Sequence, residues 1–252
     1  LFGYGQPGDH KWIMVDIGVT FADDTVPGID LIYPDPGFIV ERKDNLLGIV
    51  VTHAHEDHIG AIAHLWPQLK CKIYATPFTA ILINEKFKEK QIDITDYLKI
   101  VELNGNIELK PFDIEYITLT HSILEPNGLR IKTPAGVILH TGDWKVDPNP
   151  LVGDEINSKR LKEIGEEGVL AMICDSTNVF SVGRSGSELD VRKNLLNIMS
   201  RLKKRIIITS FASNVARMES AFYCAEKTGR QISLVGRSMH RIYKAARQCG
   251  YL

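Results

Sequence analysis

The sequence predicts an α/β protein in two parts, and three observations point there. β-branched apolar runs alternate with stretches of helical periodicity, a cluster of metal-type side chains sits between one such run and a helix, and the charge balance changes sign late in the chain. Runs rich in Val, Ile and Leu bounded by turn residues predict strands at residues 11–16, 46–52, 72–75, 114–119, 136–140, 170–174, 205–209 and 231–234. Apolar residues spaced three and four apart predict helices at 59–69, 77–90, 158–166, 187–203, 215–227 and 239–249. The first 180 residues are the richer in strands, and the remainder alternates helix and strand as a small α/β unit.

The charges support that division. A chain of 252 residues with 44% hydrophobic and 24% charged residues is an ordinary globular sequence, and its net charge of -1 suggests no polyanionic partner. Residues 1–180, however, hold 16 Lys and Arg against 27 Asp and Glu, whereas residues 181–252 hold 14 against 4. An acidic body is joined to a basic segment, which suits a surface that meets a polyanion or two blocks that attract one another. The breaker-rich stretch VFSVGRSGS at 179–187 coincides with the switch, so a boundary is placed at 180, giving units of 1–180 and 181–252.

No apolar run reaches the length of a membrane span, and the first 16 residues lack a basic segment followed by an apolar one. Cys71, Cys174, Cys224 and Cys249 are scattered without a C-x-x-C pair, which argues against a disulfide framework or thiolate zinc site and for a reducing, cytoplasmic setting. Both ends read as unfinished: residue 1 is Leu and residue 252 closes a helical pattern without a polar tail, so a fragment of a longer protein is expected.

The most informative segment is HAHEDH at 53–58, between the apolar run at 46–52 and the helix predicted from 59. Imidazole nitrogens and carboxylate oxygens hold zinc at about 2.0–2.2 Å, and a strand-to-helix loop can splay alternate side chains toward two ions. By position, His53 and His55 suit one metal and Asp57 and His58 another. Further ligands are sought at later strand ends, where open sheets place active sites. His121 in LTHSI and Asp143 in HTGDWK occupy such positions, with a loop histidine and a turn aspartate as the plainer readings. His140 reads as a core or supporting histidine, and His10, His64 and His240 as structural ones.

With Asp16 of VDIG at the end of an early strand, this H-x-H-x-D-H pattern resembles the metallo-β-lactamase fold. More closely, THSI at 120–123, ILHTGDWKVDPNP at 138–150, CDSTN at 174–178, SFASNVAR at 210–217 and VGRSM at 235–239 resemble ribonuclease J, of the β-CASP nuclease branch. The fold implied is an αββα sandwich carrying the start of an inserted β-CASP α/β domain. The resemblance implies that His53, His55 and His121 hold one zinc, that Asp57 and His58 hold a second, and that Asp143 bridges them. It also implies a supporting role for Asp16 and a catalytic one for Asp57 and for Asp175, the acidic residue opening the β-CASP motifs. Two metals about 3.5–4 Å apart would activate water for attack on a phosphodiester. The activity implied is hydrolysis of RNA, 5′-to-3′ and internally, in RNA processing and decay.

Ser210, Ser213 and Asn214 precede a helix and could offer a phosphate its N-terminal N–H groups, although an N-cap role is equally open for Ser213 or Asn214. Arg217, one turn in, and the basic residues 203–205, Arg237, Arg241, Lys244 and Arg247 enlarge an RNA-facing surface. The two histidine motifs that the family carries later do not follow His240, so a weakened second metal site, reduced activity and loss of the family's homo-oligomer contacts are expected. Two rival readings are a thioesterase or other small-ester hydrolase of the same fold, which has no use for CDSTN, SFASN or the basic segment, and a catalytically silent RNA-processing scaffold, which would have no reason to keep six ligands. DNA as substrate is a third.

Overall fold

In the computed structural model, which describes residues 1–252, twelve strands and eight helices alternate along the chain. In order they are β1 (Phe2–Tyr4), β2 (Lys11–Val15), β3 (Thr20–Phe21), β4 (Leu31–Ile32), α1 (Gly37–Val40), β5 (Leu46–Val50), α2 (Glu56–Ile59), α3 (Ile62–Leu69), β6 (Ile73–Ala75) and α4 (Pro77–Glu89). They continue with β7 (Leu98–Ile100), β8 (Asn106–Leu109), β9 (Phe112–Thr118), β10 (Asn127–Thr133), β11 (Gly136–His140), α5 (Ser158–Glu167), β12 (Val169–Ile173), α6 (Glu188–Arg201), α7 (Val215–Lys227) and α8 (Arg237–Gln248).

Two five-stranded sheets, ordered β1-β2-β5-β6-β7 and β12-β11-β10-β9-β8, lie face to face between helices, which is the αββα arrangement expected. Strand β5 shows why. Its side chains alternate, so Ile49 enters the core shared with α3 and α4, while Val50 enters the layer between the sheets with Ile13, Phe112, Ile114, Tyr116, Leu129 and Ile131. On the outer face of the second sheet, Ile117, Leu119 and Val137 pack with Ile164 of α5. Val215 and Met218 of α7 and Ile242, Ala245 and Ala246 of α8 join the helix-side core of the first sheet.

Six of the expected strands form, within a residue or two of their expected ends; residues 205–209 and 231–234 do not, and are corrected here to irregular chain. Neither segment pairs with a sheet, and burial is sparse: Ile207 is 86% and Ile232 44% exposed, and only Leu234 of the second segment packs against the main core. The six expected helices form, except that the one predicted over 59–69 is two, α2 and α3. The break falls where Ala61 N–H donates to Ile17 O instead of continuing the helical ladder. Strands β1, β3, β4, β7, β8 and β10 add to the expected set.

Candidate metal centre

Strands β2 and β5 run parallel in one sheet, as β11 and β12 do in the other, and β9 is antiparallel to the β10 that separates it from β11. The segments that follow β2, β5, β9, β11 and β12 therefore carry Asp16, His53 to His58, His121, Asp143 and Asp175. The first and second of these segments are bound through the backbone: Ile17 N–H donates to His58 O (2.7 Å) and Val19 N–H to Glu56 O (3.0 Å). Between them Gly18 is obligatory, since a Cβ there would fall 1.7 Å from Asp57 O. The third and fourth are bound by Lys145 N–H donating to Thr120 O (2.8 Å) and Thr120 Oγ1 donating to Lys145 O (2.5 Å).

Six ligand-type side chains converge in two sets that share Asp143. The ligand atoms of His53, His55, His121 and Asp143 lie within 4.8 Å of one another, as do those of Asp57, His58 and Asp143. Asp143 Oδ1 is 3.4 Å from His58 Nε2, and Oδ2 is 3.7 Å from His121 Nε2. In the histidine set, His55 Nδ1 lies 3.1 Å from His53 Nε2 and 3.2 Å from His121 Nε2.

Asp16, in the left-handed backbone region at φ 59°, ties the two sets together. Its Oδ1 accepts from Thr52 N (2.7 Å), and its Oδ2 accepts from Thr52 Oγ1 (2.7 Å) and His58 Nδ1 (2.7 Å). The proton on His58 is thereby placed at Nδ1, leaving Nε2 free to face Asp57 and Asp143. Thr52 Oγ1, its proton given to Asp16, accepts from His53 Nδ1 (3.0 Å), so His53 Nε2 carries a lone pair.

Electrostatics agree with the geometry. Burial, with the charges of His58, His55 and His121, holds His53 well below the usual imidazole range. Burial and His121 lower His55 to about 4, and burial lowers His121. Neutral imidazoles with converging lone pairs repel unless a cation lies among them, so this donor set fits a divalent metal of the kind bound by nitrogen and carboxylate oxygen. Burial opposes charge on His58, but hydrogen bonds to Asp143 and Asp16 outweigh it and raise the group to about 10 while no cation is bound. The His58 hydrogen bond holds Asp143 below the usual carboxylate range.

The other site residues expected from the sequence lie as follows. Asp175 is in neither ligand set, and its Oδ1 accepts from Thr177 N (2.8 Å) and Thr177 Oγ1 (2.6 Å). Asn214 caps α7 by accepting from Arg217 N (2.9 Å), and the Arg217 guanidinium pairs with Glu188 at 3.2 Å. Ser210 Oγ donates to Phe211 O (3.0 Å), whereas Ser213 Oγ is 3.1 Å from His55 Nε2. His140 Nδ1 accepts from Gly142 N (3.1 Å), while His10 packs on Trp12 and His64 stacks on Tyr33. Sequence reasoning missed Thr52 and Gly142. A threonine directly before the ligand run was a readable signal; Gly142, at φ 55° where a Cβ would fall 2.8 Å from Asn127 O and 3.3 Å from Thr52 Cβ, turns the chain to present Asp143.

Residues 11–161 match the model of the beta-lactamase superfamily domain, and residues 203–252 that of the ribonuclease J beta-CASP domain. A ribonuclease J from Sinorhizobium meliloti is 44% identical over 100% of this chain and 45% of its own length. One from Thermus thermophilus is 35% identical over 95% of this chain and 43% of its own. The chain thus spans less than half the length of these relatives. A crystal structure of a protein of unknown function from Enterococcus faecalis shares the fold at TM-score 0.63 and 18% identity, over 92% of this chain and 61% of that one.

Proposed function

Because the chain belongs to the beta-lactamase superfamily, in its ribonuclease J family with the start of a β-CASP domain, we propose that it is the metal-binding part of a ribonuclease acting on RNA phosphodiester bonds. The observation that carries this reading is the pair of ligand sets sharing Asp143. His53, His55, His121 and Asp143 would hold one divalent ion, taken to be zinc, and Asp57, His58 and Asp143 a second. Two such ions would supply an activated water and offset charge on the scissile phosphate.

The chain's own residues do the rest. Asp16 holds its proton-donating partners so that His58 Nε2 and His53 Nε2 face inward. Thr177 occupies Asp175 Oδ1, and Asp175 Oδ2 would be the oxygen to take a proton from water. Ser210, Asn214, Arg217 and the basic residues of 181–252 would contact RNA, with an affinity that falls steeply with salt. The unit boundary at 180, attack from the 5′ end as well as internally, a role in RNA maturation, a cytoplasmic setting and a homo-oligomer of the longer protein belong to the same reading.

A labelled RNA and a thioester, each incubated with the chain and zinc with or without chelator, test it. RNA cleavage that needs metal and vanishes in Asp57→Ala is expected. The Asp57 side chain is exposed, so the substitution is expected to leave the fold intact. Cleavage of RNA at the same rate by Asp57→Ala, or of the thioester alone, would overturn the reading.

A further inference from the structure

His55 meets a residue from far along the chain. Its Nδ1 faces the nitrogens of His53 and His121, and its Nε2 lies 3.1 Å from Ser213 Oγ, 158 residues later. Ser213 does not hang on a free loop. The residue after it caps α7 through Arg217 N, the Arg217 side chain is clamped to Glu188, and Val215 is 1% exposed in the main core. The hydroxyl is thus delivered to His55 by a helix start fixed on both sides.

An imidazole with one nitrogen turned to a cation site must carry its proton on the other, and that proton needs an acceptor. Thr52 serves His53 in this way and Asp16 serves His58. We propose that Ser213 serves His55: its hydroxyl oxygen accepts the Nε2–H bond and so fixes the tautomer and ring plane in which Nδ1 faces the metal. Ser213 is then a positioning residue, and the basic segment completes a metal centre whose ligands all come from the first 143 residues. The proposal rests on the metal-centre reading above and replaces the phosphate contact expected of Ser213.

The test compares the chain with its Ser213→Ala and Ser213→Thr variants by zinc titration against a chelating competitor, by thermal unfolding without metal, and by ¹⁵N NMR of the histidine rings without metal. Ser213→Ala is expected to lose about 10–100-fold in zinc affinity, with unchanged metal-free unfolding and a mixed His55 tautomer. Ser213→Thr, which keeps the hydroxyl, should restore both affinity and the Nε2-protonated ring. Equal zinc affinity in Ser213→Ala and the parent chain, or equal losses in Ala and Thr variants with lowered melting, would overturn the proposal. So would a Ser213→Ala protein with parental zinc binding and weakened RNA binding, which would assign the serine to substrate. A parent chain that binds no zinc would instead overturn the metal-centre reading, and the ring tautomer in metal-free protein would then decide the role of Ser213 by itself.

Discussion

Replacing Asp16 by Asn exchanges one carboxylate oxygen for an NH₂ and should disable one ligand set without unfolding the protein. Asp16 sits at φ 59°, a conformation Asn tolerates, whereas Ala would add about 1–2 kcal/mol of backbone cost. The amide oxygen can still accept from Thr52 N, 2.7 Å from Oδ1, but an NH₂ now stands where Oδ2 accepted from His58 Nδ1 and Thr52 Oγ1. His58 then satisfies that NH₂ only by moving its proton to Nε2, the nitrogen 3.4 Å from Asp143 and 3.6 Å from Asp57. A cation between those groups would meet an N–H instead of a lone pair. Loss of such a supporting carboxylate weakens metal binding about 10–100-fold, or roughly 1.4–2.7 kcal/mol. The lost hydrogen bonds to a charged acceptor cost the fold about 1.5–3 kcal/mol, which for a chain of this size lowers Tm by roughly 3–12 °C. Zinc titration against a competitor should show one site weakened far more than the other, with cooperative unfolding preserved. Two sites of parental affinity in Asp16→Asn would refute the chain of reasoning from hydrogen bond to tautomer to ligand.

Two further outcomes follow from the packing. Gly18→Ala places a methyl group 1.7 Å from Asp57 O and 2.0 Å from its carbonyl carbon, both backbone atoms, so the ligand loop must shift; zinc affinity should fall at least tenfold, and a parental titration curve would count against the close approach. Glu125, 5% exposed, accepts from Phe78 N at the start of α4 (2.9 Å) and from Tyr251 OH (3.2 Å), and burial raises its carboxyl above the usual range. A raised folded-state value favours the protonated form, so this contribution to stability is full below the unfolded carboxyl's pKa and is lost as pH rises through the folded one. Glu125→Gln should therefore gain in Tm relative to the parent as pH rises across that window, and a difference in Tm independent of pH would contradict it.

How much was legible in the sequence varies by element for physical reasons. The ligand run 53–58 and the strand before it declare themselves because β5 feeds two cores and so is apolar on both faces. Strand β10 was invisible because its pattern is broken by Arg130, a charge that is 7% exposed only because Glu167 of α5 pairs with it. Such a partner lies 37 residues away and leaves no local trace. Residues 205–209 and 231–234 fail in the opposite sense, having strand-like composition with no sheet to join. In the site, the ligand types were readable from spacing, but the protons that orient them were not. Those depend on Asp16, Thr52 and Ser213 arriving from three different parts of the fold.

The span between His55 and Ser213 also has a consequence in time. A ribosome adding about 5–20 residues per second needs roughly 8–30 s to pass from one to the other. During that interval the nascent chain holds the first histidines while the hydroxyl that meets His55 Nε2 has not been made. His121 and Asp143 arrive within the same interval, so ions reaching the young chain meet a growing and unsettled set of donors. Of the contacts that orient His53, His55 and His58, the one to Ser213 is the last whose partner is synthesised, so its formation reports that the start of α7 has docked.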